Sequence, residues 1–156
     1  MLTLNIDTRG LDALLKNVQR NRNTEVEVGF FPEDRYGPDN NNQYVANVAN
    51  MQQLGTERYT LGFPARPFFD DTVEDRTVQF HLAKMMEKTA IALLTNVNTF
   101  RSSFFRVGVV LQESVMVAID DYPGSNSPRW AAVKGFNDPL YHTGKMFESV
   151  KVKFRE

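Results

Sequence analysis

The spacing of apolar residues changes along this chain, and that change most constrains its fold. Residues 2–6, 26–30 and 150–154 each alternate apolar and polar side chains, which is the pattern of a half-buried strand. Apolar residues three and four apart predict short helices at residues 11–18 and 43–54 and long helices at residues 70–97 and 102–119. The sequence therefore predicts an α+β fold in which a small, mainly antiparallel sheet packs against two long helices and two short helices.

Length and composition favour one soluble domain, which we expect to span residues 1–156. Hydrophobic residues make up 42% of the chain and charged residues 24%, as in ordinary soluble proteins. The sequence has no cysteine, which excludes disulfides and thiolate chemistry. No apolar run approaches the roughly 18 residues of a membrane span, and the N-terminus lacks the features of a signal peptide. We therefore expect a protein made in the cytoplasm, with no membrane partner.

Two polar segments are too long to be simple connections between elements. Residues 33–42 follow Pro32, which ends the second predicted strand, and they are expected to form an exposed, mobile loop. Residues 122–137 begin with a run rich in proline, glycine and serine, and residues 129–144 are expected to be irregular, followed by one helical turn at residues 145–149. Both loops are candidates for contacts with other proteins.

Two glycines carry structural predictions of their own. Gly55 follows the second short helix, where a helix end favours a residue with positive φ. Gly108 lies within the second long helix and would allow another element to approach closely.

No residue pattern indicates catalysis, a cofactor or a metal. His81 and His142 lack the spacing of metal ligands and are interpreted as surface or partly buried residues. The Asp70-Asp71 pair is placed to complement the positive end of a helix, and the pair at residues 120–121 precedes a turn. Neither a nucleophile motif nor a glycine-rich phosphate loop is present. The sequence therefore predicts a protein that is not an enzyme.

The last predicted strand places three cations, Lys151, Lys153 and Arg155, on one face. They are either a solvated outer face that protects an edge strand from aggregation, or a surface that contacts DNA phosphates or an acidic partner. Because the net charge is −1 and acidic residues are interspersed along the chain, a globally basic nucleic-acid binder is excluded. A nucleic-acid-binding accessory module that uses this strand remains the alternative from another functional class.

Four stretches together resemble the tail-completion and head–tail joining proteins of tailed bacteriophages. They are residues 26–30 (Val-Glu-Val-Gly-Phe), residues 44–56, residues 63–69 (Phe-Pro-Ala-Arg-Pro-Phe-Phe) and residues 139–150. The third is similar to a proline-alanine-arginine-proline-phenylalanine box of that family, and the fourth to its threonine-glycine ending. One departure is that Gln53 and Leu54 stand where the family has an acid and an aromatic residue.

The resemblance implies a structural virion protein that joins head to tail as a homo-oligomeric ring, commonly sixfold. Its implied partners are a connector or adaptor, a tail terminator or the tail tube, and packaged DNA. The implied location is the neck or tail of the virion, with the host cytoplasm during assembly. A tail terminator or another minor tail protein is the close alternative within this class.

Function in such a building block lies in its interfaces, so surface anchors are the candidate site residues. Arg66 lies between Pro64 and Pro67 and either contacts a partner carboxylate or braces its own domain. Tyr122 and Trp130 are candidate aromatic anchors, together with the three cations of the last strand. We expect Trp130→Ala to weaken assembly while leaving a folded monomer.

Overall fold

A computed structural model describes residues 9–56, 62–95 and 97–155 of the chain, but not the side chains of residues 97–99. In chain order the elements are α1 (Arg9–Asn21), β1 (Glu25–Phe30), a 3-10 turn (Pro38–Asn40), α2 (Val45–Leu54), α3 (Phe68–Glu74), α4 (Arg76–Thr95), α5 (Val97–Asp120), α6 (Pro128–Lys134), α7 (Lys145–Glu148) and β2 (Val150–Arg155). The strand predicted at residues 2–6 lies outside the described residues.

In the part of the chain that the structure describes, β1 and β2 form a two-stranded antiparallel sheet. Glu25 lies opposite Arg155 at one end of the sheet, and Phe30 lies opposite Val150 at the other. α5 packs against both strands. At Gly108 it makes the predicted close approach, because a Cβ there would lie 2.7 Å from Val152 Cγ1 and also collide with Val26.

The core lies where α5, the sheet and α2 meet. The buried residues of this cluster are Val45, Ala49, Phe68, Val115, Ile119, Leu140, Met146 and Val150. They belong to α2, α3, α5, α7 and β2, except for Leu140, which lies in the segment before α7. Of these helices, α2 and α5 were predicted by apolar spacing. The predicted α+β class is confirmed, with a small antiparallel sheet and two long helices.

The prediction that one long helix begins at Asp70 is wrong, because the helix breaks at Asp75. Asp75 has extended backbone angles, and its Oδ1 accepts hydrogen bonds from the backbone N–H groups of Thr77 (2.8 Å) and Val78 (2.9 Å). A carboxylate in this position caps the start of a new helix. α3 therefore ends before α4 begins, and α5, with 24 residues, is the longest described helix.

The prediction that residues 129–144 are irregular is wrong in their first part, where α6 forms. The side chain of Ser127 accepts a hydrogen bond from the N–H of Trp130, and Pro128 occupies the first turn. Gly135 ends the helix with φ of 79°. Serine, proline and glycine at these positions are the ordinary start and stop residues of a helix. α3 and α6 are thus short helices in addition to the two that were predicted.

The loop at residues 33–42 is exposed as predicted, but it is held by more local structure than the prediction allowed. The 3-10 turn lies within it, and Arg35 forms an isolated antiparallel bridge with Tyr44. The Arg35 guanidinium also stacks on the Tyr44 ring, with 3.7 Å between its central carbon and the ring centroid. These contacts join the loop to the start of α2.

The premise that no stretch is apolar enough to span a membrane does not hold for α5. Its part Phe100–Asp120 is long enough, and on average apolar enough, to be a candidate span, and 17% of its most apolar stretch is buried. Length and composition are weak evidence, because the central helix of a water-soluble fold meets the same test. In this fold Val115 and Ile119 of the helix are fully buried in the core.

Candidate functional site

Arg66 joins three distant parts of the chain. Its Nη1 donates a hydrogen bond of 2.7 Å to Gln52 Oε1 in α2 and one of 3.2 Å to the carbonyl oxygen of Pro139. Its backbone N–H donates to the carbonyl oxygen of Gln52 at 2.8 Å. Pro64 and Pro67 on either side favour the extended backbone that presents the side chain in this way.

A second set of hydrogen bonds surrounds these contacts. Gln53 Oε1 accepts a hydrogen bond of 3.1 Å from the backbone N–H of Phe69, and Thr56 donates from its N–H to the carbonyl oxygen of Phe63 at 2.8 Å. Gly55 has φ of 69°, as predicted, and a Cβ there would lie 2.8 Å from the carbonyl carbon of Pro64. We call Arg66, Gln52, Gln53 and Pro139, with the backbone they hold, the Arg66 junction.

Phe68 connects the Arg66 junction to the core. Its side chain is 1% exposed and meets the Phe30 ring of β1 edge-on, with 6.2 Å between ring centroids. Residues 26–30, 44–56, 63–69 and 139–150 thus converge on one place. These are the four stretches that carry the resemblance described from the sequence.

The hydrogen-bond acceptors of the Arg66 guanidinium lie within its own domain. Burial lowers the pKa of its guanidinium, and its hydrogen-bond acceptors are an amide and a carbonyl group. It makes no ion pair with a described residue. Of the two roles expected for Arg66, bracing the domain is the one that these contacts fit.

The three cations of β2 lie on one face, as predicted, and each meets a carboxylate of the same chain. Lys151 Nζ lies 2.6 Å from Asp34 Oδ1, Lys153 pairs with Glu33, and Arg155 Nη2 lies 2.9 Å from Glu27 Oε2. The hydrogen bond from Lys153 lowers the pKa of Glu33. The face is therefore locally neutral, which favours a solvated outer face over a phosphate-binding surface.

Trp130 and Tyr122 lie in different surroundings. Trp130 projects from α6, is 46% exposed, and meets the His142 ring edge-on at 5.6 Å. Tyr122 is half-buried and lines a cleft with Asp71 and Asp75. Burial raises the pKa of the Tyr122 hydroxyl, and the negative charge of Asp71 raises it further. Trp130 has the exposure that an interface anchor requires, and its role in assembly stays a prediction.

α4 presents apolar side chains on the side away from its packed face. Phe80, Ile91 and Leu94 are 60%, 54% and 56% exposed. Ile91 and Leu94 follow Phe80 by about three and about four helical turns, so the three side chains share one side of the helix. We call them the outer face of α4. The ion pair between Lys84 and Glu87 lies between its two ends.

Exposed apolar residues also occur on two other helices. The apolar stripe that predicted α1 stays exposed at Leu11, Leu15 and Val18, and α5 exposes Phe105 and Val117. Sequence periodicity found the helices but not which side chains would stay uncovered.

The described residues contain no group of three or more His, Asp or Glu side chains that could hold a metal ion. His81 and His142 are both exposed, as expected, and the carboxylates of Asp70 and Asp71 lie in the first turn of α3.

In comparisons with family models, with curated proteins and with solved structures, nothing matches this chain. The comparisons therefore neither support nor oppose the resemblance carried by the four stretches.

Proposed function

We propose that this protein is a structural component of a tailed-phage virion that forms a ring at the neck or tail end and joins head to tail. We further propose that it has no catalytic activity of its own. A tail terminator or another minor tail protein stays open within the same class.

The observation that carries this proposal is the convergence of the four resembling stretches on the Arg66 junction. The four stretches are separate in the sequence but contact one another in the fold. Here Arg66 binds the second and fourth stretches at once, and Phe68 packs against Phe30 of the first. This convergence supports the proposal that the four stretches are parts of one shared fold, with a role in its architecture.

The exposed apolar side chains support assembly. Phe80, Ile91 and Leu94 are more than half exposed, although apolar side chains on a helix usually face a core. In a closed ring each subunit covers such a surface with its neighbour. The resemblance implies a sixfold ring, in which a neighbour's apolar surface would cover the outer face of α4.

The nucleic-acid alternative has less support. Lys151, Lys153 and Arg155 would each have to leave an acidic partner before contacting a phosphate. Three phosphate contacts would also give a slope of only about −2.7 in log K against log salt. Contact with packaged DNA is therefore proposed only for an assembled ring, in which several copies act together.

The test is a nonsense mutation in this gene in a phage or prophage that carries it, grown in hosts with and without a suppressor tRNA. Electron microscopy of the particles from the host without a suppressor should show filled heads and separate tails. Tails of abnormal length would instead assign the terminator role. Normal infectious particles in that host would refute a structural function, and restored particles in the suppressor host are the control.

A further inference from the structure

A cavity of about 230 Å³ lies between α2, α6 and the segment that leads into α7. Flat side chains form much of its wall: Phe63, Trp130, Tyr141, His142 and Phe147. Trp130 meets the His142 ring edge-on, and Tyr141 meets Phe147 in the same way with 6.4 Å between centroids. Such walls favour a ring that can pack edge-on or offset against them.

The charged residues at this cavity all have one sign. Lys134 and Lys145 line it, and no carboxylate of a described residue does. Lys145 makes no ion pair with any residue that the structure describes. An unpaired cation beside an apolar cavity favours an anionic occupant.

Lys134 adds to this positive potential, although its ammonium is engaged. It donates a hydrogen bond to the carbonyl oxygen of Asp138 and lies 4.7 Å from the centroid of the Phe136 ring. Burial lowers the pKa of Lys134, the Asp138 carboxylate opposes that change, and the charge of Arg66 lowers it further. Lys134 and Arg66, both partly buried, therefore lie close enough for their positive charges to interact.

The size of the cavity limits the occupant. Pockets for whole drug-sized ligands measure roughly 300–1,000 Å³. The cavity here is smaller, at about 230 Å³, which suits one or two side chains of a peptide. Peptide anchors commonly bind by inserting an aromatic ring into such a pocket while charged neighbours stay at its rim.

We propose that this cavity is a docking site for an acidic peptide segment of a partner protein, which inserts an aromatic ring between Trp130 and Tyr141 and places an adjacent carboxylate against Lys145. That the partner is a neighbouring virion protein rests on the proposed function. The chemistry of the expected occupant, an aromatic side chain flanked by carboxylates, does not depend on it.

Trp130 makes the site directly observable, because it is the single tryptophan of the chain. The purified full-length protein is titrated with an acetylated and amidated pentapeptide, Gly-Asp-Phe-Asp-Gly, while Trp130 fluorescence is recorded. The matched peptide replaces both aspartates with asparagine. We expect a saturable change with the acidic peptide and a dissociation constant of about 1 mM or lower. The asparagine peptide should bind about threefold to tenfold more weakly, and added salt should reduce that difference.

Variants locate the carboxylate contact. Lys145→Gln should abolish the preference for the acidic peptide, while Lys84→Gln, at an exposed ion pair on α4, should retain it. The N–H of Lys145 is held by Thr143 Oγ1, so the substitution leaves that backbone hydrogen bond in place. Circular dichroism of both variants should match the parent protein.

Three results would overturn the proposal: equal affinity for both peptides, no fluorescence response to either, or an unchanged preference in Lys145→Gln. A stronger response to a thymidine oligonucleotide than to the acidic peptide would also overturn it, and would assign the cavity to nucleic acid. Because the assay uses the isolated protein, its failure is distinct from a failure of the virion role, which the nonsense mutation tests separately.

Discussion

The Arg66 junction and the outer face of α4 use the same kinds of side chain in opposite ways. At the junction, Phe68 is 1% exposed and Arg66 is satisfied within the chain. On the outer face, Phe80 is 60% exposed, and the neighbouring His81 ring lies 6.1 Å away between centroids. The contacts of the first region stabilise the fold, whereas the second region is the one that we propose contacts a partner. Substitutions should therefore separate stability from assembly.

The largest loss of stability is expected from Phe68→Ala, which removes the ring that joins the junction to Phe30. Replacing a buried phenylalanine by alanine costs about 3–5 kcal/mol, because a cavity remains. Urea unfolding followed by far-ultraviolet circular dichroism measures the change. The matched control is Phe80→Ala on the outer face, for which we expect a change within about 0.5 kcal/mol. Equal losses in the two variants would remove the distinction between the regions.

Gly108→Ala should have the next largest effect, since it adds a methyl group where α5 touches the sheet. The new Cβ would lie 2.7 Å from Val152 Cγ1 and collide with Val26, and overpacking of this kind costs about 1–3 kcal/mol. Gly10→Ala is the control, because nothing lies within 4 Å of that position. Adding Val26→Ala to Gly108→Ala should recover part of the loss, which the same unfolding assay detects as non-additivity. Strict additivity would contradict the steric explanation.

Gly108 also illustrates what the sequence can predict. Apolar spacing located β1, β2, α1, α2 and most of α4 and α5, and a lone glycine in a helix indicated a close approach. These features depend on local residue order. The break at Asp75 and the helix α6 also depend on local capping residues, Asp75 and Ser127, but apolar spacing outweighed them in the prediction.

The site was harder to predict, because its contacts join residues far apart in the chain. Lys151 meets Asp34 across 117 residues, and Arg66 meets Pro139 across 73. Nothing in the local pattern of the last strand indicates that its cations are neutralised by Glu27, Glu33 and Asp34. The cavity beside Trp130 likewise forms only when α2, α6 and α7 come together, so its lining could not be assembled from spacing alone.

Arg66→Lys should cost less than the two core substitutions, because it retains the charge and loses only the shape of the guanidinium. One ammonium is less able than the planar group to reach Gln52 Oε1 and the Pro139 carbonyl oxygen together. We expect a loss of about 1–2 kcal/mol in unfolding free energy. Arg76→Lys, at an exposed position on α4, is the control and should be neutral. In combination with Gln52→Ala, the effect of Arg66→Lys should shrink, whereas an undiminished effect would place the contribution of Arg66 elsewhere.

The smallest effect on stability, and the clearest one on assembly, is expected when the outer face of α4 is made polar. Phe80→Ser and Ile91→Ser remove apolar surface that is already more than half exposed, so the unfolding free energy should change by less than about 1 kcal/mol. If a neighbouring subunit covers that surface, both variants lose the burial of an apolar side chain in the ring, which is worth about 1.5–3 kcal/mol for each side chain. Complementation of the nonsense mutant measures this as a loss of infectious particles. The control is Lys88→Gln, at an exposed position on the same helix about a quarter of a turn away from that face. Full complementation by stable Phe80→Ser and Ile91→Ser proteins would show that the face stays in water, and the ring contacts would then have to lie at α1 or α5.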